Sequence, residues 1–244
     1  VLRLLLGVLL LPLSGSLAWA AAKALAGVAY GTAAAAPFAA GMALTVVAWL
    51  LGRHVFDPIG PVGWGMRAAR WIYVAGHELT HALAAWSSGG KVFAIHVEET
   101  GGHVDLSESN AFVALAPYCV PLHALLVVAG YRILLWLRPA ASAEALFLIL
   151  MGAALAFHGL MTWETLTQVK QPDLKAAGGE VFSWSLIAAA NGVVVLVLLK
   201  ALFPESVGLG ASLTSAGRGA WWFWGHAWSF VLPGARALKH RVFA

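Results

Sequence analysis

The sequence predicts an all-α polytopic membrane protein of about six transmembrane helices, with a short β-hairpin after the third. Three observations carry this. Of the 244 residues, 61% are hydrophobic and only 11% are charged, whereas a soluble domain typically carries about 25% charged residues. So few charges cannot cover a water-facing surface, and the mean hydropathy of +0.81 makes the bilayer the natural solvent. Apolar runs recur at about the 20 residues a helix needs to cross the hydrocarbon core. Finally, residues 89–110 break this rhythm with a different, alternating pattern.

In chain order, the expected spans are Leu4–Ala22, Ala33–Leu51, Met66–Ser88, Ala111–Leu137, Ala143–Leu166 and Val181–Phe203. Arg3, the run Leu4 to Leu11 and Ala18-Trp19-Ala20 also follow the pattern of a secretory signal with its cleavage site; the segment is read here as a retained membrane helix. Pro12 in the first span and Pro117 and Pro121 in the fourth are tolerable, because membrane helices accommodate proline better than soluble ones. The Gly- and Pro-rich stretch Gly52–Gly65 reads as a loop. Lys91 to Val97 alternates, Glu98 to Gly102 offers a turn, and His103 to Leu106 alternates again, the pattern of a hairpin. Gln171–Gly179 reads as a polar linker, and the Gly/Ser-rich stretch Pro204–Gly219 as a flexible one. After it, Trp221, Trp222, Trp224 and Trp228 precede Arg236, Lys239 and Arg241, as in a segment lying among lipid headgroups. The expected organisation is therefore two N-terminal helices in residues 1–52, a membrane core in 53–203 containing the hairpin at 89–110, and a linker with an interfacial tail in 204–244.

The net charge of +4 comes from basic residues scattered between apolar runs. Such residues anchor helices and set topology, so no nucleic-acid partner is expected, and the lipid bilayer is. With six spans, Arg3, Arg53, Arg67, Arg70, Arg132, Arg138, Lys200 and the basic tail share one face, against Lys23, Lys91, Lys170 and Lys175 on the other. The positive-inside rule then places both termini in the cytoplasm. The single cysteine, Cys119, excludes an intramolecular disulfide and, in an apolar run, behaves as a small hydrophobe.

The third apolar segment contains His77-Glu78-Leu79-Thr80-His81. Residues four apart lie one turn apart on one helix face. His77 and His81 so placed can hold one zinc ion, and Glu78 can reach the water that the metal activates and serve as general base. Two histidines and a glutamate inside an apolar segment are energetically expensive, which marks a functional site. A third protein ligand is required, with one position left open for substrate.

Gly76 to Ala85 followed by Gly89-Gly90-Lys91-Val92 resembles the first motif of the site-2 protease family of intramembrane zinc metalloproteases, and Gly101-Gly102-His103-Val104 occupies the place of that family's Gly-rich hairpin turn. The resemblance covers Trp71 to Asn110, and the two following helices more loosely. It implies a membrane-embedded zinc site that hydrolyses peptide bonds of membrane-embedded or membrane-proximal substrates. It also implies a third ligand from an Asp in a Leu-Asp-Gly motif, which this chain lacks. Two candidates stand in its place. His158, in the fifth span, matches His77 and His81 in depth to within about one helical turn. Asp173, beyond that span, matches the family's use of an Asp but requires the chain to fold back. Depth favours His158, which is preferred. The charge bias puts the hairpin on the non-cytoplasmic side, whereas many members of the family place it on the cytoplasmic side.

Among the remaining polar residues, His103 is a candidate to guide an extended substrate along the hairpin edge, and Asn191 to steady an oxyanion or to bond between helices. The alternative function is a catalytically silent relative that serves as an assembly subunit with a membrane-complex partner. The missing Leu-Asp-Gly and the Trp-rich tail motivate it; the intact His77, Glu78 and His81 argue against it.

Overall fold

The computed structural model describes residues 1–31, 33–54, 60–98, 101–140, 142–168 and 171–242; the side chains of Val62 and of residues 230–242 are not described. The expected turn residues Glu99 and Thr100, and the side chains of Arg236, Lys239 and Arg241, lie outside the described set. In chain order the elements are α1 (Leu2–Gly31), a 3₁₀ turn (Ala33–Ala35), α2 (Ala36–His54), α3 (Pro61–Ser87), β1 (Val92–Glu98), β2 (Gly101–Leu106), α4 (Ala111–Cys119), α5 (Leu122–Leu137), α6 (Glu144–Gln168), α7 (Pro172–Ala177), α8 (Glu180–Leu202) and α9 (Leu209–Val242).

Among the described residues, α1, α2 with its preceding turn, α6 and α8 are long and apolar enough to cross a membrane, and α4 with α5 makes a fifth if the bent pair is one span. Their large side chains face outward, Leu5 and Leu9 on α1, Leu44 and Val47 on α2, and Val193 and Val197 on α8 among them. Contiguous apolar surface on this scale has no place in water, so the chain is a helical membrane protein. Of the six spans expected from sequence, four or five meet this length and hydropathy among the described residues. The helix α3 forms where expected, but Arg67, Arg70, His77, Glu78 and His81 leave it too polar to count with the others.

The fourth expected span is broken. Pro121 lacks the N–H that would continue the ladder and drives Val120 out of the helical region, to φ −100° and ψ 112°. The axes of α4 and α5 therefore differ by 66°. Asn110 caps α4, accepting a hydrogen bond from Val113 N at 3.0 Å.

Small residues set the helix pairings, as membrane packing requires. α1 lies against α8, where a Cβ on Gly7 would come within 2.7 Å of the Phe182 backbone and one on Gly192 within 2.9 Å of Leu17. α2 lies against α6. The expected flexible stretch at 204–219 is helical from Leu209. Its small residues serve close approach to α1 rather than flexibility: Ala216 is buried in the α1–α8–α9 cluster, and a Cβ on Gly219 would meet Ser16 Oγ at 2.8 Å. The tryptophans Trp221, Trp222 and Trp228 remain exposed on this helix.

The hairpin forms as an antiparallel pair with Ile95 opposite Val104 and His96 opposite His103; a bulge lies between Val92 and Ala94. It docks on α3 and α4 through Val92 and Leu106, which pack against Ala84, Ala85, Val113 and Ala116. The alanines let α3 and α4 approach closely. That approach positions the chemistry described next.

Candidate metal centre

The motif residues occupy successive turns of α3. The imidazoles of His77 and His81 meet edge to face with centroids 4.9 Å apart. Because α4 packs so near, His81 Nδ1 lies 2.9 Å from the carbonyl of Val113. A carbonyl only accepts, so Nδ1 carries the proton and donates it. Nε2 is then directed away, towards Asp173. Metal-binding histidines characteristically have this arrangement, the outer ring nitrogen fixing tautomer and orientation.

The structure brings Asp173, and not His158, to the histidine pair. Asp173 Oδ2 lies 3.5 Å from His81 Nε2 and 3.7 Å from His77 Nε2. The preference for His158 assumed that the third partner must share the depth of α3 within a span. The chain instead folds back: Pro172 begins the six-residue helix α7, and Leu174 and Ala177 bury against α4 and α8. Gly178 and Gly179, at φ 129° and 106°, turn the chain into α8 through a conformation other residues adopt at a cost. Arg3 Nη1 donates to the carbonyl of Ala177 at 2.8 Å, tying α1 to the same short helix.

His158 is buried elsewhere, donating from Nε2 to Asn191 Oδ1 at 3.1 Å. Asn191 in turn donates to the carbonyls of Tyr118 and Ile187. It therefore bonds between helices, and both residues line a separate, mainly apolar cavity bounded by α6 and α8. Glu164 accepts from Trp49 Nε1 at 2.8 Å and pairs with Arg70 at 3.6 Å.

The donor set fits a zinc ion. With metal–ligand bonds of about 2.0–2.1 Å, two ligand atoms of a tetrahedral site lie roughly 3.3 Å apart. The observed 3.5 and 3.7 Å exceed this by a few tenths of an ångström and are longer than good hydrogen bonds. The carboxylate is held by Nε2 protons of the two imidazoles, and a metal ion would take the place of those protons. His77 Nδ1 is buried without a hydrogen-bond partner, a condition costing about 1–3 kcal/mol if nothing satisfies it. Burial opposes ionisation of Asp173, but the two imidazoles and the Tyr118 hydroxyl outweigh it and hold the carboxyl well below its usual range. Asp173 is thus an anion at neutral pH.

Sequence reasoning missed Tyr118. Its hydroxyl donates to Asp173 Oδ2 at 2.9 Å with Gln171 Oε1 3.1 Å away, and its ring meets His77 edge-on at 5.0 Å. The available signal was its position between Pro117 and Pro121: a tyrosine in an apolar run interrupted by prolines marks a break with a polar group aimed inward. Gly102 was read only as a turn residue. A Cβ there would lie 2.8 Å from Glu78 Oε1 and 2.7 Å from the carbonyl of His96, so its lack of a side chain lets the hairpin close over the glutamate.

Two clefts meet at this point. One of about 480 Å³ is bounded by Arg70, Tyr73, Met161 and Glu164, and the other, of about 610 Å³, by His81, Asp173 and residues 103–109. Both touch His77, Glu78 and Gly102. Unbroken lining by 102–109 means that the strand β2 borders the larger cleft along its length, with His103 at the rim. No protein-family model, curated protein or solved structure matches the chain.

Proposed function

We propose that this chain is an intramembrane zinc metalloprotease in which His77, His81 and Asp173 hold the metal and Glu78 is the general base. One observation carries the reading: His81 Nε2 converges with Asp173 Oδ2 at 3.5 Å, while Nδ1 is already committed to Val113. A zinc ion held there would supply Lewis acidity towards water and a peptide carbonyl.

The other parts of the reaction belong to the chain's own side chains. Glu78 is 6% exposed and sits where the two clefts join. It takes a proton from the attacking water. When the carbon–nitrogen bond breaks, Glu78 returns that proton to the departing amine, so charge and atoms balance. The substrate is a peptide segment unwound into extended form, because β2 offers an edge for pairing and the clefts continue to either side. His103 contacts that segment. Tyr118 holds the Asp173 carboxylate in position, as partners of metal ligands characteristically do. Asn191 bonds between helices in this mechanism and takes no part in oxyanion binding.

The test compares wild-type protein and Glu78→Gln, each purified in detergent and reconstituted into vesicles with membrane-anchored peptides. Wild type should contain about one zinc per chain and cleave; Glu78→Gln should keep the zinc and lose cleavage by at least about 100-fold. A folded wild type that takes up no zinc would overturn the reading in favour of an assembly subunit. Equal cleavage by both proteins would remove Glu78 from the mechanism.

A further inference from the structure

The hairpin carries a second convergence of side chains able to ligate a metal, of which the proposed reaction uses only His103, as a substrate contact. His96 and His103 are directly opposed across the strands, and Asp105, two residues beyond His103, shares their face. The two imidazoles stack with centroids 4.5 Å apart and planes 19° from parallel. His96 Nε2 lies 3.8 Å from Asp105 Oδ2, and one potential ligand atom from each of the three residues falls within 4.8 Å of the other two. The register enforces this proximity, because opposed side chains on one face of a strand pair are neighbours whatever their rotamer.

The geometry points to a second, lower-affinity site for a borderline divalent ion such as Zn²⁺ on the outer face of the hairpin, formed by His96, His103 and Asp105. Imidazole and carboxylate suit zinc, and three protein ligands leave a position for water. The atoms need to close from 3.8 Å and more to roughly 3.3 Å, a movement within reach of exposed side chains. Unlike the inner site, neither imidazole has a hydrogen bond among the described residues that fixes its tautomer, so binding must order the ligands, which lowers affinity. His103 and Asp105 also line the larger cleft. A metal here ties β1 to β2 and stiffens the edge bordering that cleft.

The site does not depend on the proposed catalysis, and its test separates the two. Full-length protein in detergent is titrated with Zn²⁺ by equilibrium dialysis, as wild type, His96→Ala/His103→Ala and His81→Ala; amide exchange of 92–106 is followed with and without metal. Wild type should bind a second ion more weakly than the first, with slowed exchange in both strands. The hairpin double variant should lose the weaker ion, or bind it at least about tenfold more weakly, and keep the tighter one. The His81→Ala protein should show the reverse. Asp105→Asn, which leaves both imidazoles, should weaken the second ion without abolishing it. Identical titrations and exchange for wild type and the hairpin double variant would overturn the proposal, whatever becomes of the inner site.

Discussion

The molecule carries the same trio of residue types twice, and the two sites differ in everything except composition. His77, His81 and Asp173 come from two helices far apart in sequence, with side chains 9%, 10% and 23% exposed. His96, His103 and Asp105 come from one hairpin and are exposed, His96 at 54% and Asp105 at 56%. In the inner trio a backbone carbonyl fixes one imidazole, a tyrosine hydroxyl holds the carboxylate, and the donor atoms stand near the spacing zinc requires. The outer trio has stacking, register and the 3.8 Å approach of His96 to Asp105. Ligand identity therefore says little about the strength of a metal site. Buried supporting hydrogen bonds decide how much ordering remains to be done on binding.

The largest expected effect comes from removing an inner ligand. His81→Ala or Asp173→Ala should lower zinc affinity at the inner site by more than about 100-fold, read by dialysis against a competing chelator, and should leave the hairpin site unchanged. Removing only a supporting bond should cost less. Tyr118→Phe deletes the hydroxyl that donates to Asp173, and a loss of about 10–100-fold in affinity is expected; an unaltered affinity would mean that the short helix α7 alone positions the carboxylate. Gly102→Ala should spare metal content and reduce cleavage, because its Cβ would intrude on Glu78 Oε1 and on the carbonyl of His96. The smallest effect on metal should come from His158→Ala, which breaks a bond to Asn191 remote from the donor atoms; it should destabilise the bundle and leave zinc stoichiometry intact.

Under the proposed function, metal at the inner site competes with protons. Its imidazoles must be neutral to ligate, and their ordinary pKa is about 6.5. Zinc affinity should therefore fall as pH drops from about 7 to 5, with protons released on binding at the lower pH. Asp173, held far below this range, should contribute nothing to that slope.

Where the sequence was legible, length or periodicity dictated the structure. α1, α2, α6 and α8 follow from apolar runs sized to a bilayer, and the hairpin from alternation on either side of a glycine pair. The inner histidines and Glu78 follow from helix geometry. The third carboxylate is different: Asp173 lies in a polar stretch whose composition reads as a linker. Its approach depends on Leu174 and Ala177 burying against α4 and α8, a tertiary event with no periodic trace. The break at Val120–Pro121 was visible as two prolines but was weighed as a tolerable interruption, and Tyr118 was passed over with it. In α9, glycine and serine read as flexibility because composition alone does not distinguish a linker from a helix that packs closely on α1.

The most direct test of the central claim is the zinc content of the purified protein beside Asp173→Ala and His158→Ala, measured after dialysis stringent enough to strip the hairpin site. About one tightly held zinc per chain in wild type and in His158→Ala, with none in Asp173→Ala, is the expected result. Zinc retained in Asp173→Ala and lost in His158→Ala would contradict it.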